Sequence, residues 1–231
     1  MNCNLCGGTE WIDMGNRKNV RCAQCGSLER TRAIGLFLDH FEMPKPGATI
    51  FHMAPERGLA DYLKTKNPDH YDAVDIDPSR YPHTDVRRFD AVTDCASLKT
   101  DHYDLIIHSH VLEHIPCSIA YVLFHLSRAL KPGGLHLFCV PILKGHYAED
   151  FAPLTHEDAT ARFGQFDHLR RFSRDDIDKH LGQIMRINKN YSLYDTFDKE
   201  TLDGANIPEN ERTGLKGSTI FVTGKEDYLL Q

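Results

Sequence analysis

The sequence predicts an α/β fold, in which helices cover both faces of a doubly wound, mostly parallel sheet, with a small cysteine-rich segment at the N-terminus. Four of the seven cysteines lie within the first 25 residues, and beyond Gly47 short apolar strands alternate with amphipathic helices. A chain of 231 residues suits one full domain with a small appendage.

The N-terminal cysteines form two Cys-x-x-Cys pairs. Cys3 and Cys6 make the first pair, Cys22 and Cys25 the second, and 15 residues separate the pairs. This spacing is typical of paired zinc knuckles, in which each turn aims two thiolates at one ion. Four thiolates leave no open coordination position, so the expected Zn²⁺ is structural. Residues 1–26 are therefore predicted to form a zinc ribbon.

Residues 27–46 are predicted to be a linking helix followed by a junction. Apolar residues fall on one broad face between Leu28 and Phe41, and Ser27 is expected to be the N-cap. The prolines and glycine of 43–47 end the helix.

The main domain, residues 47–231, is predicted to alternate strands and helices. The expected strands lie at 48–54, 71–77, 86–91, 103–111 and 135–142, with late strands near 184–194 and 218–223. The expected helices lie at 58–66, 121–130 and 173–183, the last with Ser173 as N-cap. The polar stretch between the two late strands is predicted to be a mobile loop.

Charge and hydropathy limit the partners. A net charge of −6 gives no bulk attraction to nucleic acid or anionic lipid, so nucleic acid is a disfavoured partner and a small or neutral substrate is expected. No apolar run approaches the roughly 18 residues that span a bilayer. The first ten residues lack the features of a signal peptide, so no membrane partner and a cytoplasmic location are expected. The oligomeric state stays open.

Acidic residues follow three of the predicted strands. In open parallel sheets a ligand sits at the carboxyl ends of the strands. Asp75 and Asp77 end the second strand, where a carboxylate can accept hydrogen bonds from both hydroxyls of a ribose. Asp90 ends the third strand, where it can receive an adenine amino group, with Asp94 as the alternative. These positions predict a site for an adenosine-containing ligand.

The chain resembles the class I S-adenosylmethionine-dependent methyltransferases over about residues 47–224. The resemblance is most specific in YDLIIHSHVLEHI at 103–115 and LKPGGLHLFCVPI at 130–142. Bacterial methyltransferases with an N-terminal Cys-x-x-Cys ribbon are similar over nearly the whole chain, through CGSLER at 25–30, HMAPERGL at 52–59 and FGQFDHLRRF at 163–172. The resemblance implies a Rossmann-like fold and S-adenosylmethionine as cofactor.

The first loop departs from the pattern of that class, which is acid-x-Gly-x-Gly-x-Gly. The matching cofactor-binding positions here are His52, Ala54, Glu56 and Gly58, and Ser109 at the end of the fourth strand is a further one. Glu56 replaces a glycine, and its carboxylate is expected to bind the methionine ammonium group. A dinucleotide dehydrogenase is the competing interpretation, but it needs a glycine-rich pyrophosphate loop, where Glu56 would repel the phosphates.

Histidines are the candidates for a general base. His168, in the segment that the resemblance places over the acceptor pocket, and His110, near the end of the fourth strand, are the preferred candidates. A structural, hydrogen-bonded role is the alternative for each. A second metal site built from histidines is a further alternative, for which His110 and His114 form the one suitable pair.

Three functions are compatible with these features. The first is methyl transfer from S-adenosylmethionine to a small-molecule or sugar-type acceptor by in-line displacement. The second is an RNA methyltransferase that holds its substrate with the ribbon. The third is a catalytically inactive cofactor-binding scaffold protein, against which the three strand-end acids argue.

Overall fold

The computed structural model describes residues 1–66 and 70–230. Its strands are β1 Trp11–Met14, β2 Arg17–Cys22, β3 Ile50–Met53, β4 Tyr71–Asp75, β5 Arg87–Arg88, β6 Tyr103–Ser109, β7 Leu130–Cys139, β8 Ile142–Leu143, β9 Ala148–Glu149, β10 Arg170–Ser173 and β11 Phe221–Thr223. Its α-helices are α1 Glu29–His40, α2 Arg57–Lys66, α3 Ala91–Asp94, α4 Ile119–Ala129, α5 His156–Phe163 and α6 Lys199–Gly204.

A six-stranded sheet forms the centre, in the order β11-β7-β6-β3-β4-β5. All neighbours are parallel except β11, which runs antiparallel to β7. The chain leaves β3 for β4 on one side and later returns to β6 on the other, so the topological switch point lies between β3 and β6. The Rossmann-like, mostly parallel sheet predicted from the sequence is confirmed.

Two apolar cores lie on the two faces of this sheet. Successive residues of a strand point to opposite faces, so Ile106 joins the core under α4 while Leu105 and Ile107 join the core under α1 and α2. All three side chains are fully buried. Burial on both faces explains why these strands read as continuous apolar runs rather than alternating ones.

The first 26 residues form an N-terminal lobe built on the β1–β2 hairpin. The lobe shares the core under α1, to which Cys3 and Cys25 belong. Arg32 of α1 fastens it: the buried guanidinium donates to the carbonyl oxygens of Val20 and Ser27, and also to carbonyls of 205–206. One buried cation thus joins the lobe, α1 and the segment after α6.

Several boundaries differ from the sequence prediction. Helix α1 begins at Glu29 with Leu28 as N-cap, not Ser27, because the Ser27 hydroxyl lies 3.3 Å and 3.2 Å from the sulfurs of Cys3 and Cys25. Ser173 is likewise no N-cap. It ends β10, and two short 3-10 turns, at 177–179 and 181–183, replace the expected helix.

The C-terminal part departs most from expectation. The stretch 184–194 makes only isolated pairings, whereas β11 falls within the predicted late strand at 218–223. Between them lies α6, N-capped by Asp198, where a mobile loop was expected. The backbone N–H of Asn2 donates to the carbonyl of Gly204, so α6 is held against the N-terminal lobe. Within the described part of the chain, no helix has the length and hydropathy that crossing a bilayer requires.

Candidate functional site

A cavity of about 410 Å³ opens at the carboxyl ends of β3, β4 and β6, beside the switch point. This volume lies within the roughly 300–1,000 Å³ usual for small-molecule sites. One end is lined by Val74, Asp75, Ile76, Arg80, Tyr81, Phe89, Asp90 and Ala91. The other end is lined by His110, Val111, His114, Ile115, Pro116, Gln165 and Asp167, with Met53 and Ala54 between them.

Asp75 lies in the cavity wall with its carboxylate held in place. Oδ1 accepts from the backbone N–H of Asp77 at 2.8 Å, and Oδ2 accepts from the Tyr81 hydroxyl at 2.8 Å. Burial and this hydrogen bond to Asp75 raise the pKa of Tyr81, so its proton stays on the phenol oxygen. Each carboxylate oxygen keeps a further lone pair, and Asp75 is therefore a fixed acceptor facing the cavity.

The other acids divide between wall and turn. Asp90 lines the cavity and caps α3, where its Oδ1 accepts from Val92 N at 2.9 Å. Asp94 instead accepts from the backbone N–H of Asp90, behind the wall. The structure places Asp77 outside the lining, because its carboxylate caps the turn at Ser79 through bonds of 3.2 Å and 2.6 Å.

The loop after β3 faces two ways. Ala54 lines the cavity with φ +53°, the left-handed region that a side chain normally avoids. Glu56 points to helix α1, where its carboxylate accepts from Arg30 and Thr31 at 2.6 Å each. Burial raises the pKa of Glu56, but Arg30 and Thr31 outweigh it and the net pKa is lowered. Glu56, expected to bind a cofactor ammonium group, is thus engaged elsewhere.

Three further expected cofactor residues lie outside the cavity lining. A Cβ at Gly58 would be 2.9 Å from the sulfur of Cys25, so this glycine permits close packing of the lobe. The His52 imidazole is buried against the Tyr71 hydroxyl at 2.8 Å, and burial lowers its pKa to about 4. Ser109 is buried at the end of β6.

His110 lies at the cavity but does not suit a general base. Its backbone has φ +53°, Nε2 lies 2.9 Å from the carbonyl oxygen of Gly217, and Nδ1 lies 3.3 Å from Oε1 of Glu113. Burial lowers its pKa, but Cys139 and Glu113 outweigh burial and raise it to about 10. A raised pKa favours the protonated ring, which donates hydrogen bonds and is a poor proton acceptor.

His168 is buried behind the cavity wall. Its Nδ1 lies 3.2 Å from the carbonyl oxygen of Phe163, and its ring centre lies 4.8 Å from that of His114. Burial lowers the pKa of His168. The residues of this segment that do line the cavity are Gln165 and Asp167. His168, expected to face the acceptor directly, therefore supports His114 from behind.

Sequence reasoning missed Tyr81 and Glu113. Tyr81 orients the Asp75 carboxylate from the short turn after β4. Glu113 is fully buried beside His110 and His114, in the 3-10 turn Leu112–His114. The sequence did offer a signal for Glu113, because this acid lies between His110 and His114.

The four N-terminal cysteines converge at a second location. Their sulfurs all lie within 4.8 Å of one another, with Cys3 and Cys25 3.6 Å apart and Cys6 and Cys22 also 3.6 Å apart. No two of the cysteines in the described residues form a disulfide. Three of the four are buried, so this cysteine cluster is a closed set of four thiol ligands.

Comparison with known proteins places this fold in a family. The family model described as a methyltransferase domain matches residues 32–183. The chain therefore belongs to the methyltransferase domain family. No curated protein matches the chain.

Solved structures that are similar to the chain are distant in sequence. An S-adenosylmethionine-dependent methyltransferase from Mesorhizobium loti is 14% identical with a TM-score of 0.50, over 82% of this chain and 95% of that one. A SAM-dependent methyltransferase from Archaeoglobus fulgidus is 15% identical with a TM-score of 0.48, over 83% and 90%. The match to the CurJ carbon methyltransferase, 21% identical with a TM-score of 0.39, covers 50% of this chain and 35% of that one. The chain thus spans about a third of that relative's length.

Proposed function

We propose that this methyltransferase transfers a methyl group from S-adenosylmethionine to a small-molecule or sugar-type acceptor in the cavity beside the switch point. The observation that carries the proposal is the fixed Asp75 carboxylate on the wall of a 410 Å³ cavity. Phe89 and Ile76 supply apolar surface at the same end, and Asp90 supplies a second acceptor. These residues fit an adenosine group, because the ribose hydroxyls can donate hydrogen bonds to the carboxylates and the adenine ring can pack against the apolar side chains.

The residues present have separate tasks in such a reaction. Asp75 would hold the ribose hydroxyls and Asp90 the adenine amino group, while the small side chain of Ala54 lets the ligand approach the backbone. When bound, S-adenosylmethionine supplies a sulfonium methyl group, whose transfer to the acceptor's lone pair breaks the carbon–sulfur bond and leaves S-adenosylhomocysteine. The protein contributes mainly proximity and orientation.

The acceptor would occupy the opposite end of the cavity. His114, Gln165 and Asp167 line it, and the protonated His110 adds a hydrogen-bond donor. This mixture of donors and acceptors suits a polar acceptor of small size. The enclosure is built by the segment between β9 and β10. Arg170, the first residue of β10, holds the end of this segment: it is fully buried and donates to the carbonyls of Leu112 and Cys117.

For the cysteine cluster we propose one structural Zn²⁺. The donor set is the observation in its favour: four sulfurs from two knuckles, three of them buried, with Gly8 N donating to the sulfur of Cys6 at 3.4 Å. Four thiolates complete a tetrahedral zinc site and leave no position for chemistry. An ion there would brace the lobe against α1 and Gly58.

RNA methylation through the N-terminal lobe is the competing function, and the charges of the lobe disfavour it. Lys18 pairs with Asp13 at 2.6 Å, and Arg17 pairs with Glu29. Arg32 is buried under carbonyl oxygens rather than presented to solvent. Salt-dependent phosphate binding needs unpaired exposed cations, and these cations are engaged within the chain.

Tritium transfer tests the proposed function. The purified protein is incubated with S-adenosylmethionine labelled on the methyl group and with a cell extract, from which small molecules and RNA are then separated. We expect label in the small-molecule fraction, and much less of it with the Asp75→Ala variant at the same cofactor concentration. Label in RNA instead would replace the proposal with the competing function. Label in neither fraction, despite tight S-adenosylhomocysteine binding, would favour the scaffold alternative.

A further inference from the structure

Glu113 is a buried acid without a hydrogen-bond donor. It is 0% exposed, and within residues 1–66 and 70–230 neither carboxylate oxygen has a hydrogen-bond partner. The nearest ring nitrogens are Nδ1 of His110 at 3.3 Å and Nε2 of His114 at 4.0 Å, both measured from Oε1. Even with a protonated His110 at Oε1, Oε2 stays without a donor. Buried carboxylates are normally paired, hydrogen-bonded or bound to a metal ion.

Two histidines beside this acid contact a backbone carbonyl through the same ring nitrogen. Nδ1 of His114 lies 3.1 Å from the carbonyl oxygen of Asp167, and Nδ1 of His168 lies 3.2 Å from that of Phe163. A carbonyl oxygen only accepts hydrogen bonds, so in a neutral ring Nδ1 carries the proton and Nε2 keeps a lone pair. Metal-binding histidines are commonly held by a carbonyl at the other ring nitrogen in this way.

The ligand atoms of Glu113, His114 and His168 lie within 4.8 Å of one another. With Nδ1 protonated, Nε2 of His114 and Oε1 of Glu113 are two electron-pair donors that face each other, so a cation between them relieves their repulsion. Ligands about 2.1 Å from an ion lie roughly 3–3.5 Å apart, so the side chains need to close by about 1 Å. His114, whose side chain is 35% exposed, has room to move.

We propose that Glu113, His114 and His168, named here the cavity cluster, bind one divalent transition-metal ion at the wall of the cavity. Two imidazoles and one carboxylate suit Zn²⁺, Mn²⁺ or Fe²⁺, and three protein ligands leave coordination positions open. Because His114 lines the cavity, these positions face the acceptor end. This role rests on the proposed function: the ion binds the oxygen of a hydroxyl acceptor and lowers the pKa of that hydroxyl. The hydroxyl proton is then released to solvent, and the oxygen takes the methyl group as the carbon–sulfur bond breaks.

Metal binding by the whole protein tests the site. After mild chelation that leaves ribbon zinc in place, Mn²⁺ is titrated by electron paramagnetic resonance and Zn²⁺ by calorimetry. We expect one equivalent of either ion to bind wild type. Glu113→Gln and His168→Ala should weaken binding at least tenfold. His146→Ala, which removes an exposed histidine distant in sequence from the cluster, should not. Failure of both ions to bind wild type, or equal binding by all variants, overturns the site.

S-adenosylhomocysteine binding, measured on the same samples, separates this proposal from the previous one. We expect its affinity to stay within about twofold in Glu113→Gln, which also shows that the variant is folded. If the wild-type protein binds S-adenosylhomocysteine but no added ion, the metal site alone is refuted. If it binds an added ion but no S-adenosylhomocysteine, the proposed function alone is refuted. Loss of both ligands in both variants would show a structural role and overturn the site. In the tritium assay, transfer should stop after chelation and return with Mn²⁺; unchanged transfer would refute the role towards the acceptor.

Discussion

The cysteine cluster and the cavity cluster differ in how many metal ligands the chain supplies and in how fully those ligand atoms are hydrogen-bonded. Around the cysteines, two knuckles supply four ligands of one kind. Gly8 N–H donates to the Cys6 sulfur, and the Ser27 hydroxyl is hydrogen-bonded to the sulfurs of Cys3 and Cys25. Around Glu113, three ligands of two kinds meet, and within the described chain the carboxylate has no hydrogen-bond donor. A complete set of four ligands predicts a metal ion that stabilises the fold. An incomplete set of three ligands beside a cavity predicts a metal ion that takes part in the reaction.

Their surroundings differ in the same sense. The cysteine cluster belongs to the apolar core shared with α1, α2 and the sheet, so its loss would propagate into the domain. The cavity cluster lies where β6 ends, next to His110 with its left-handed backbone. Strained backbone conformations concentrate at functional sites. Substitutions in the cysteine cluster should therefore lower stability, whereas substitutions at the cavity should lower ligand binding.

The largest expected effect is on the cysteine side. Cys22→Ser should abolish binding of the proposed Zn²⁺ and remove most of the stability of the N-terminal lobe, because structural zinc sites contribute about 10–16 kcal/mol of binding free energy. Zinc content by elemental analysis and thermal unfolding by circular dichroism measure the two effects. Cys117→Ser, a half-buried cysteine outside the cluster, is the control and should retain zinc. A Cys22→Ser protein with full zinc content would contradict the closed set.

The next largest effect is expected on cofactor affinity, from a substitution at the end of the cavity proposed to bind adenosine. Asp75→Ala should weaken S-adenosylhomocysteine binding about ten- to a hundredfold, because a hydrogen bond to a charged group contributes about 1.5–3 kcal/mol. Calorimetry measures it, with Asp77→Ala as the matched control: the same change, two residues away, at an acid that caps a turn outside the lining. Equal losses in both variants would mean that the ribose acid is misassigned.

A smaller effect is expected where the first loop meets the lobe. In Gly58→Ala the new Cβ would lie 2.9 Å from the Cys25 sulfur, and overpacking of this kind costs about 1–3 kcal/mol. Chemical denaturation should show that loss, while S-adenosylhomocysteine affinity stays unchanged. Gly204→Ala, where the added Cβ meets nothing within 4 Å, is the control. A drop in cofactor affinity without a drop in stability would return Gly58 to the cofactor site.

Local patterns in the sequence were enough to predict part of this architecture. The apolar runs at 103–111 and 135–142 became β6 and β7, since a strand buried on both faces must be apolar throughout. The position of Asp75 in the cavity wall followed from the rule that ligands bind at strand ends. The convergence of the cysteines followed from their spacing.

Contacts between distant segments decided what the sequence could not show. Glu56 occupies a motif position of the cofactor loop, yet Arg30, 26 residues earlier, binds its carboxylate to helix α1. The polar stretch that contains α6 is ordered by Arg32, which lies 173 residues before its partner Ala205. The direction of the His110 ring depends on a left-handed backbone that no local pattern announces.

The smallest expected effect, and the one that depends on pH, concerns Glu56. Its pKa is lowered in the folded protein, so its contribution to stability is present above the unfolded value of 4.5 and disappears as pH falls through the folded pKa. Glu56→Gln should therefore destabilise the protein by about 1 kcal/mol at pH 7, since the carboxylate is a quarter exposed and partly screened. Urea denaturation of both proteins at pH 7 and near pH 3.5 measures the difference, which should shrink at the lower pH. Glu157→Gln, at an exposed glutamate in the first turn of α5, is the control for loss of a charge. S-adenosylhomocysteine affinity should be unchanged in both variants at pH 7, because Arg30 and Thr31 already hold the Glu56 carboxylate. A tenfold loss of S-adenosylhomocysteine affinity in Glu56→Gln, with unchanged stability, would instead assign Glu56 to the cofactor site.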